Sequence, residues 1–544
     1  MRLQLVVSVI AVFLVVGVVL GIVLLGPSFL SGVNSANALP VLTTQANTGN
    51  DIMHENAHAG TYAWQIPTAK VSVAQIQAYA NSTYVLPGKS IKFYVSTQEE
   101  GTLYSLGIYR LGWYGGLGGR LMASVNNLVG HAQGVYDLSK HALVGCISCI
   151  KNAQTDLLEA HWQVSYTLTV PADWTTGVYL AKFIDVNGMQ TYVPFDVLEV
   201  DSSSTYIVVT PDTTYAAYNN WGGSSLYEAD ATTNVAIPSE SDVTAKGTKV
   251  SFDRPYAQEA GASQVLIYEA DAIRWMERQG YDVTYASDIN LQQLPDLLSH
   301  HKAYISLGHD EYWTKEMRDE VERARDTGVG IAFLGADAVY WQMRFEPDAQ
   351  GVPNRTVVCY KVQTSHGVSD LARDPFYGKD NTRLTAQWRD PALARPENAL
   401  VGIMFSDLTH KISGYPWRVD PAADTSLLKE TGLQPRQEYG CGLVGYEWDR
   451  VFNNGATPPN LHIIATSAVR NDLDSLDSSN TTYYIARSGA MVFASGSIYW
   501  AAALDSYREQ VDAVCGNQNR AIPGIQVLMA HVMDGLLVPH TVNS

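Results

Sequence analysis

Positive charge is scarce in this sequence: 36 Lys and Arg stand against 54 Asp and Glu, for a formal net charge of −18. A chain of that sign repels a phosphate backbone, which excludes nucleic-acid binding. Cysteine is nearly absent as well, with Cys146, Cys149, Cys359, Cys441 and Cys515. No second CxxC or nearby His pair completes a tetrahedral zinc set around Cys146-Ile-Ser-Cys149, so a local disulfide or inert thiols are expected there. An odd count leaves at least one thiol unpaired within the chain. Charged residues make up only 17% against 46% hydrophobic, enough apolar material for sizeable cores.

Long apolar runs are missing with one exception. Leu5 to Leu25 carries no charge and matches the about 20 residues that cross a bilayer as helix, predicting a transmembrane anchor over residues 1–26. Arg2 precedes it and no Lys or Arg follows until Lys70, so the positive-inside bias puts everything after the anchor at the exoplasmic face. Ala36-Asn37-Ala38 offers an alternative, a signal-peptidase site whose cleavage releases a secreted protein. Residues 27–65, rich in Ser, Asn, Thr, Gly and Ala without periodicity, read as a flexible tether.

From residue 66 to 200 the pattern is short β-branched and aromatic segments between Pro-Gly, Gly-Gly and Asp-Trp-Thr-Thr-Gly turns, which predicts an all-β immunoglobulin-like sandwich. Over 201–544 an α/β domain is expected, its strand and helix patterns alternating from Thr205 to Leu334. Helical spacing of Leu266, Ala270, Ile273 and Met276 ends at Gly280, and a second helix starts at Thr314 and stops at Gly328. Strands are expected at 206–209, 282–286, 303–307 and 329–334. Repeated βα units predict a doubly wound α/β sheet whose chemistry lies beyond the carboxyl ends of the strands. Residues 345–480 carry no clear period.

Leu307-Gly-His-Asp-Glu-Tyr-Trp-Thr314 falls at such a strand end, and three consecutive titratable residues there are expensive to bury without partners. Glu311 reads as a metal ligand and His309 as a proton-transfer group or a hydrogen-bond donor behind the ligands, against the plainer reading of local pairing and helix capping.

The ordered set Tyr218-Asn-Asn-Trp-Gly-Gly, Phe252-Asp-Arg-Pro-Tyr256, Gly308-His-Asp-Glu-Tyr-Trp313, Gly335-Ala-Asp-Ala-Val-Tyr-Trp341 and Gly445-Tyr-Glu-Trp448 resembles the catalytic domain of the N,N-dimethylformamidase large (beta) subunit family. Ile108-Tyr-Arg-Leu-Gly-Trp-Tyr-Gly-Gly116 and Pro171-Ala-Asp-Trp-Thr-Thr-Gly-Val-Tyr179 resemble the sandwich that precedes it. The resemblance implies a glutamine-amidotransferase-like (flavodoxin-like) catalytic fold. It also implies a mononuclear ferric iron held by Tyr218, Tyr256 and Glu311, with Tyr215 competing for the first position. His309, Asp337 and Glu447 would surround the iron, Glu447 as the proton shuttle to the leaving amine. The family has an amide where this chain has Asp337, and an ionised Asp accepts hydrogen bonds only. The implied activity is hydrolysis of a small amide, with a small partner subunit or a homo-oligomer as the assembly. Two other functions compete: a glutaminase-like thiol enzyme, and a surface binding protein with a degenerate catalytic domain.

Overall fold

The structure, a computed structural model, describes residues 50–227, 247–411, 414–424, 426–507 and 521–540. Residues 76–197 build two facing sheets. One contains Ile76–Ala80, Ser90–Thr97 and Tyr166–Thr169. The other has the order Tyr84–Val85, Gln190–Val197, Gly177–Asp185, Leu103–Leu111, Gly119–Val129. Alternation in Ser-Ile-Lys-Phe-Tyr-Val puts Ile91, Phe93 and Val95 inside, where the Phe93 ring meets Phe183 edge-on at 5.7 Å and Phe195 at 5.9 Å.

The second half is organised by a seven-stranded sheet. Val283–Ser287, Tyr206–Thr210, Ala303–Gly308, Gly330–Gly335 and Met491–Ala494 run parallel in that spatial order, and Leu476–Ile485 and His462–Arg470 close it antiparallel. The parallel strands are buried along their whole length, which explains why small and apolar residues fill them on both faces. Thr314 caps the Lys315–Asp326 helix by accepting from the Met317 amide at 3.1 Å. Gly280, at φ +74°, ends the Ala270–Gln279 helix in the left-handed conformation.

The prediction of an α/β doubly wound, flavodoxin-like fold with a transmembrane helix is corrected. Strand predominates: 27 strands accompany nine α-helices among the described residues. Only Ala270–Gln279, Lys315–Asp326 and Pro523–Leu537 reach ten residues. The physical reason lies between residues 341 and 485, where the chain folds into short antiparallel ribbons such as Met404–Leu408 with Glu447–Arg450, not into further βα units. The sheet is mixed, with an antiparallel edge.

The membrane assignment, and the exoplasmic localisation resting on it, is also withdrawn. Among the described residues no helix is long and apolar enough to cross a membrane. The longest, Pro523–Leu537 with 15 residues, reaches only about 22 Å of the ~30 Å hydrocarbon thickness. The predicted anchor over 1–26 lies outside the described residues. So does the tether up to residue 49, but its last part is packed: Asp51–Asn56 is helical, and Ile52 and Trp64 are buried.

Residues 49–544 form one unit, and one core cluster draws Tyr109, Leu111 and Val178 from the sandwich together with Val208, Ile273 and Trp275 beyond it. A fully buried ion pair ties the same two parts. Arg110 donates to both Glu277 oxygens, at 2.8 and 3.0 Å, and to the Thr176 carbonyl. Cys146 and Cys149 are disulfide-bonded, and Cys359 is a buried free thiol.

Candidate functional site

Three adjacent strand ends deliver the groups that matter. Ala303–Gly308 stops at Gly308, which takes φ +61° and releases His309, Asp310 and Glu311 beyond the sheet. Its neighbour stops at Gly335, and a Cβ on Gly335 would stand 1.7 Å from the Gly308 carbonyl oxygen. That approach admits only glycine, and it brings Asp337 beside Glu311. From Tyr206–Thr210 the chain enters the buried helix Asp212–Tyr218, whose last residue faces the same space. Glu447 arrives from elsewhere, at the start of the Glu447–Arg450 strand.

These side chains meet at one end of a cavity of about 310 Å³ lined by Tyr218, Tyr227, Glu311, Asp337 and Glu447. His309 Nε2 lies 3.3 Å from Glu311 Oε2 and 3.4 Å from Glu447 Oε2. His309, Glu311 and Asp337 each offer one ligand atom within 4.8 Å of the others. Burial alone would lower the His309 pKa, but the carboxylates of Glu447 and Glu311 outweigh it and raise it. Burial, with Glu311 and Glu447 adding repulsion, pushes the Asp337 carboxyl well above its usual range and favours its protonated form, which can donate a hydrogen bond. Asp310 is engaged structurally, accepting from Ser306 Oγ at 2.7 Å and Trp313 Nε1 at 2.6 Å, and burial pushes it up to about 6.

Of the predicted tyrosines, Tyr218 lies in the site, its ring 4.9 Å from that of His309. Tyr256 does not. It lines a separate cavity of about 20 Å³ with Asp212, Arg254 and Arg355. Tyr215 is no substitute, since its hydroxyl donates to Glu269. The second phenol is one that the sequence reading missed, Tyr227. It stacks on Tyr218 at 4.3 Å, donates to Glu311 Oε1, and accepts from the Tyr312 hydroxyl at 2.6 Å. The Lys361 ammonium lies 3.3 Å from its ring centroid. One signal existed in the sequence: Tyr227 follows the Gly222-Gly223 turn that reverses the chain after Tyr218.

The arrangement suits a cation. Tyr218, Tyr227 and Glu311 are hard oxygen donors, and burial with the nearby Glu311 keeps both phenols well above their usual range. Among the described residues, Asp337 Oδ1 and His309 Nδ1 are buried and make no hydrogen bond. Buried polar atoms left in this state are costly, and a bound ion would relieve them. A thiol mechanism fits poorly: Cys359 lines the cavity, but burial pushes its pKa up to about 12.

A beta subunit of N,N-dimethylformamidase from an Alcaligenes species is 24% identical over 409 residues, 64% of this chain and 52% of that protein. The beta subunit from Paracoccus aminophilus is 24% identical over 422 residues, 66% of this chain and 54% of its own. The chain therefore spans about half the length of these curated relatives. A solved cycloisomaltooligosaccharide glucanotransferase of Paenibacillus matches at 10% identity and a TM-score of 0.14, covering 56% of this chain and 36% of that one, too slight a likeness to bear on the fold. Residues 105–515 match the family described as N,N-dimethylformamidase beta subunit-like, C-terminal, and on that match the chain belongs to this family.

Proposed function

We propose that the protein is a metal-dependent amidohydrolase that cleaves the C–N bond of an amide, with iron held by Tyr218, Tyr227 and Glu311. The observation that carries the reading is the convergence of these three oxygen donors with His309, Asp337 and Glu447 at one buried end of one cavity. Two phenolates and one carboxylate carry three negative charges, which balance a ferric ion and suit it better than zinc. When bound, the ion supplies Lewis acidity toward the amide oxygen and eases ionisation of water.

The chain's own groups do the rest. Glu447 takes a proton from water and returns it to the nitrogen as the C–N bond breaks. Asp337 in its protonated form, which burial favours, donates to the amide oxygen, a role that an ionised Asp cannot fill. His309, held between Glu311 and Glu447, fixes the orientation of both carboxylates. The relatives' name supports amide hydrolysis, and its words "beta subunit" make a partner subunit part of this reading.

Metal analysis of the purified protein should find about one iron per chain and a visible charge-transfer band, which zinc with its filled d shell does not give. Glu447→Gln should keep iron and colour while amide hydrolysis falls by roughly 10²–10⁴-fold. A colourless, iron-free protein that hydrolyses amides would reject the iron, and a coloured protein inactive on every amide would reject the hydrolase.

A further inference from the structure

The cavity is larger than a dialkyl formamide needs. Its about 310 Å³ compares with the roughly 150 Å³ that accommodates benzene, so a minimal amide and one aromatic ring fit together. Part of the wall is built for such a ring. Tyr340, Phe405 and Leu408 all line it. The Tyr340 ring packs against Phe405 at 5.2 Å and against Trp341 at 5.2 Å. Its hydroxyl accepts from Gln387 Nε2 at 2.6 Å, and the Arg389 guanidinium lies 5.0 Å from its centroid. A ring fixed from so many sides presents a rigid face, which a flat apolar group can meet at little entropic cost.

The position of this wall says which arm of the amide it receives. Met404–Leu408 pairs antiparallel with Glu447–Arg450, and Leu408 stands directly opposite Glu447. Residues opposite each other on an antiparallel pair project to the same face with Cβ atoms about 5 Å apart. The apolar surface is thus next to the carboxylate that hands a proton to the departing nitrogen.

From this we infer, resting on the hydrolase reading above, that the preferred substrates are N-acyl aromatic amines, with the aryl ring of the leaving amine seated on Tyr340, Phe405 and Leu408. The reaction balances as hydrolysis: water oxygen adds to the acyl carbon, the C–N bond breaks, and nitrogen takes the proton, giving a carboxylic acid and an arylamine.

The test compares formanilide with N-methylformamide on the iron-loaded protein. The ratio of their kcat/KM values should favour formanilide by about tenfold to a hundredfold, the gain from burying one aromatic side group. Phe405→Ala should lower that ratio at least about fivefold, chiefly through KM for the anilide, and Leu408→Ala should lower it less, about threefold. Aniline should inhibit competitively at lower concentration than methylamine, a readout independent of the anilide's intrinsic reactivity. A ratio near one, or a ratio that both variants leave unchanged, overturns the aryl preference while the hydrolase reading stands. Turnover of neither amide by iron-loaded protein removes the hydrolase reading and this inference with it.

Discussion

Replacing Tyr227 with Phe, and Tyr256 with Phe in parallel, separates the site in the structure from the one implied by motif. Tyr227→Phe keeps the ring that stacks on Tyr218 at 4.3 Å and faces the Lys361 ammonium, and removes only an oxygen. That oxygen is bonded to Glu311 and to the Tyr312 hydroxyl, both buried. Each partner left unsatisfied costs about 1–3 kcal/mol, so with two partners the metal-free protein should lose about 2–6 kcal/mol of stability, visible as a lower unfolding midpoint. Iron affinity should fall further than the about 10–100-fold typical of losing a partner behind the ligands, because a donor atom itself is gone. Equilibrium dialysis against a chelator measures the affinity, and the visible band reports the phenolate. Tyr256→Phe removes a hydroxyl from a different cavity and should leave iron content and colour intact. If Tyr256→Phe bleaches the protein and Tyr227→Phe does not, the assignment of the second phenol is wrong.

Gly335→Ala should abolish iron binding and folding yield together, because its Cβ would stand 1.7 Å from the Gly308 carbonyl oxygen; a folded, coloured variant would refute the close approach. Asp212 offers a pH test away from the proposed metal site. Burial pushes it up to about 7, with hydrogen bonds from Ser287 and Thr210 opposing the rise. Its folded state therefore binds the proton more tightly than the unfolded chain. Its contribution to stability is complete below the usual Asp range and is lost as pH rises through about 7. Denaturant titrations at pH values across that window should show falling stability, and Asp212→Asn should flatten the trend; an unchanged slope in the variant would assign it to other groups.

What could be read from the sequence is what is local. Thr314 as a cap, Gly280 as a helix end and the buried apolar strand at 303–308 each follow from a few consecutive residues. The strand end at Gly308 then put His309 and Glu311 at the opening of the sheet. The ribbons between 341 and 485 were not legible, because strands of three to seven residues such as Thr356–Val358 and Glu438–Val444 carry too few alternations to show a period. Tyr227 was hidden for another reason: among 31 tyrosines, the Gly222-Gly223 turn before it is too common a signal to single out one whose hydroxyl reaches a glutamate 84 residues away. The missing helices show the converse error, since alternating patterns over a short stretch were extended to the whole second half.

The buried pair Arg110–Glu277 has a bearing on how this protein can be cut or recombined. Glu277 sits on the Ala270–Gln279 helix, and among the described residues its ion pair is with a guanidinium on the far side of the residue-200 junction. Exchanging the front sandwich for a foreign one that covers the same surface without this arginine would leave that carboxylate buried without its countercharge, a loss of about 3–5 kcal/mol. The two halves are therefore expected to be inherited, expressed and engineered as a single piece.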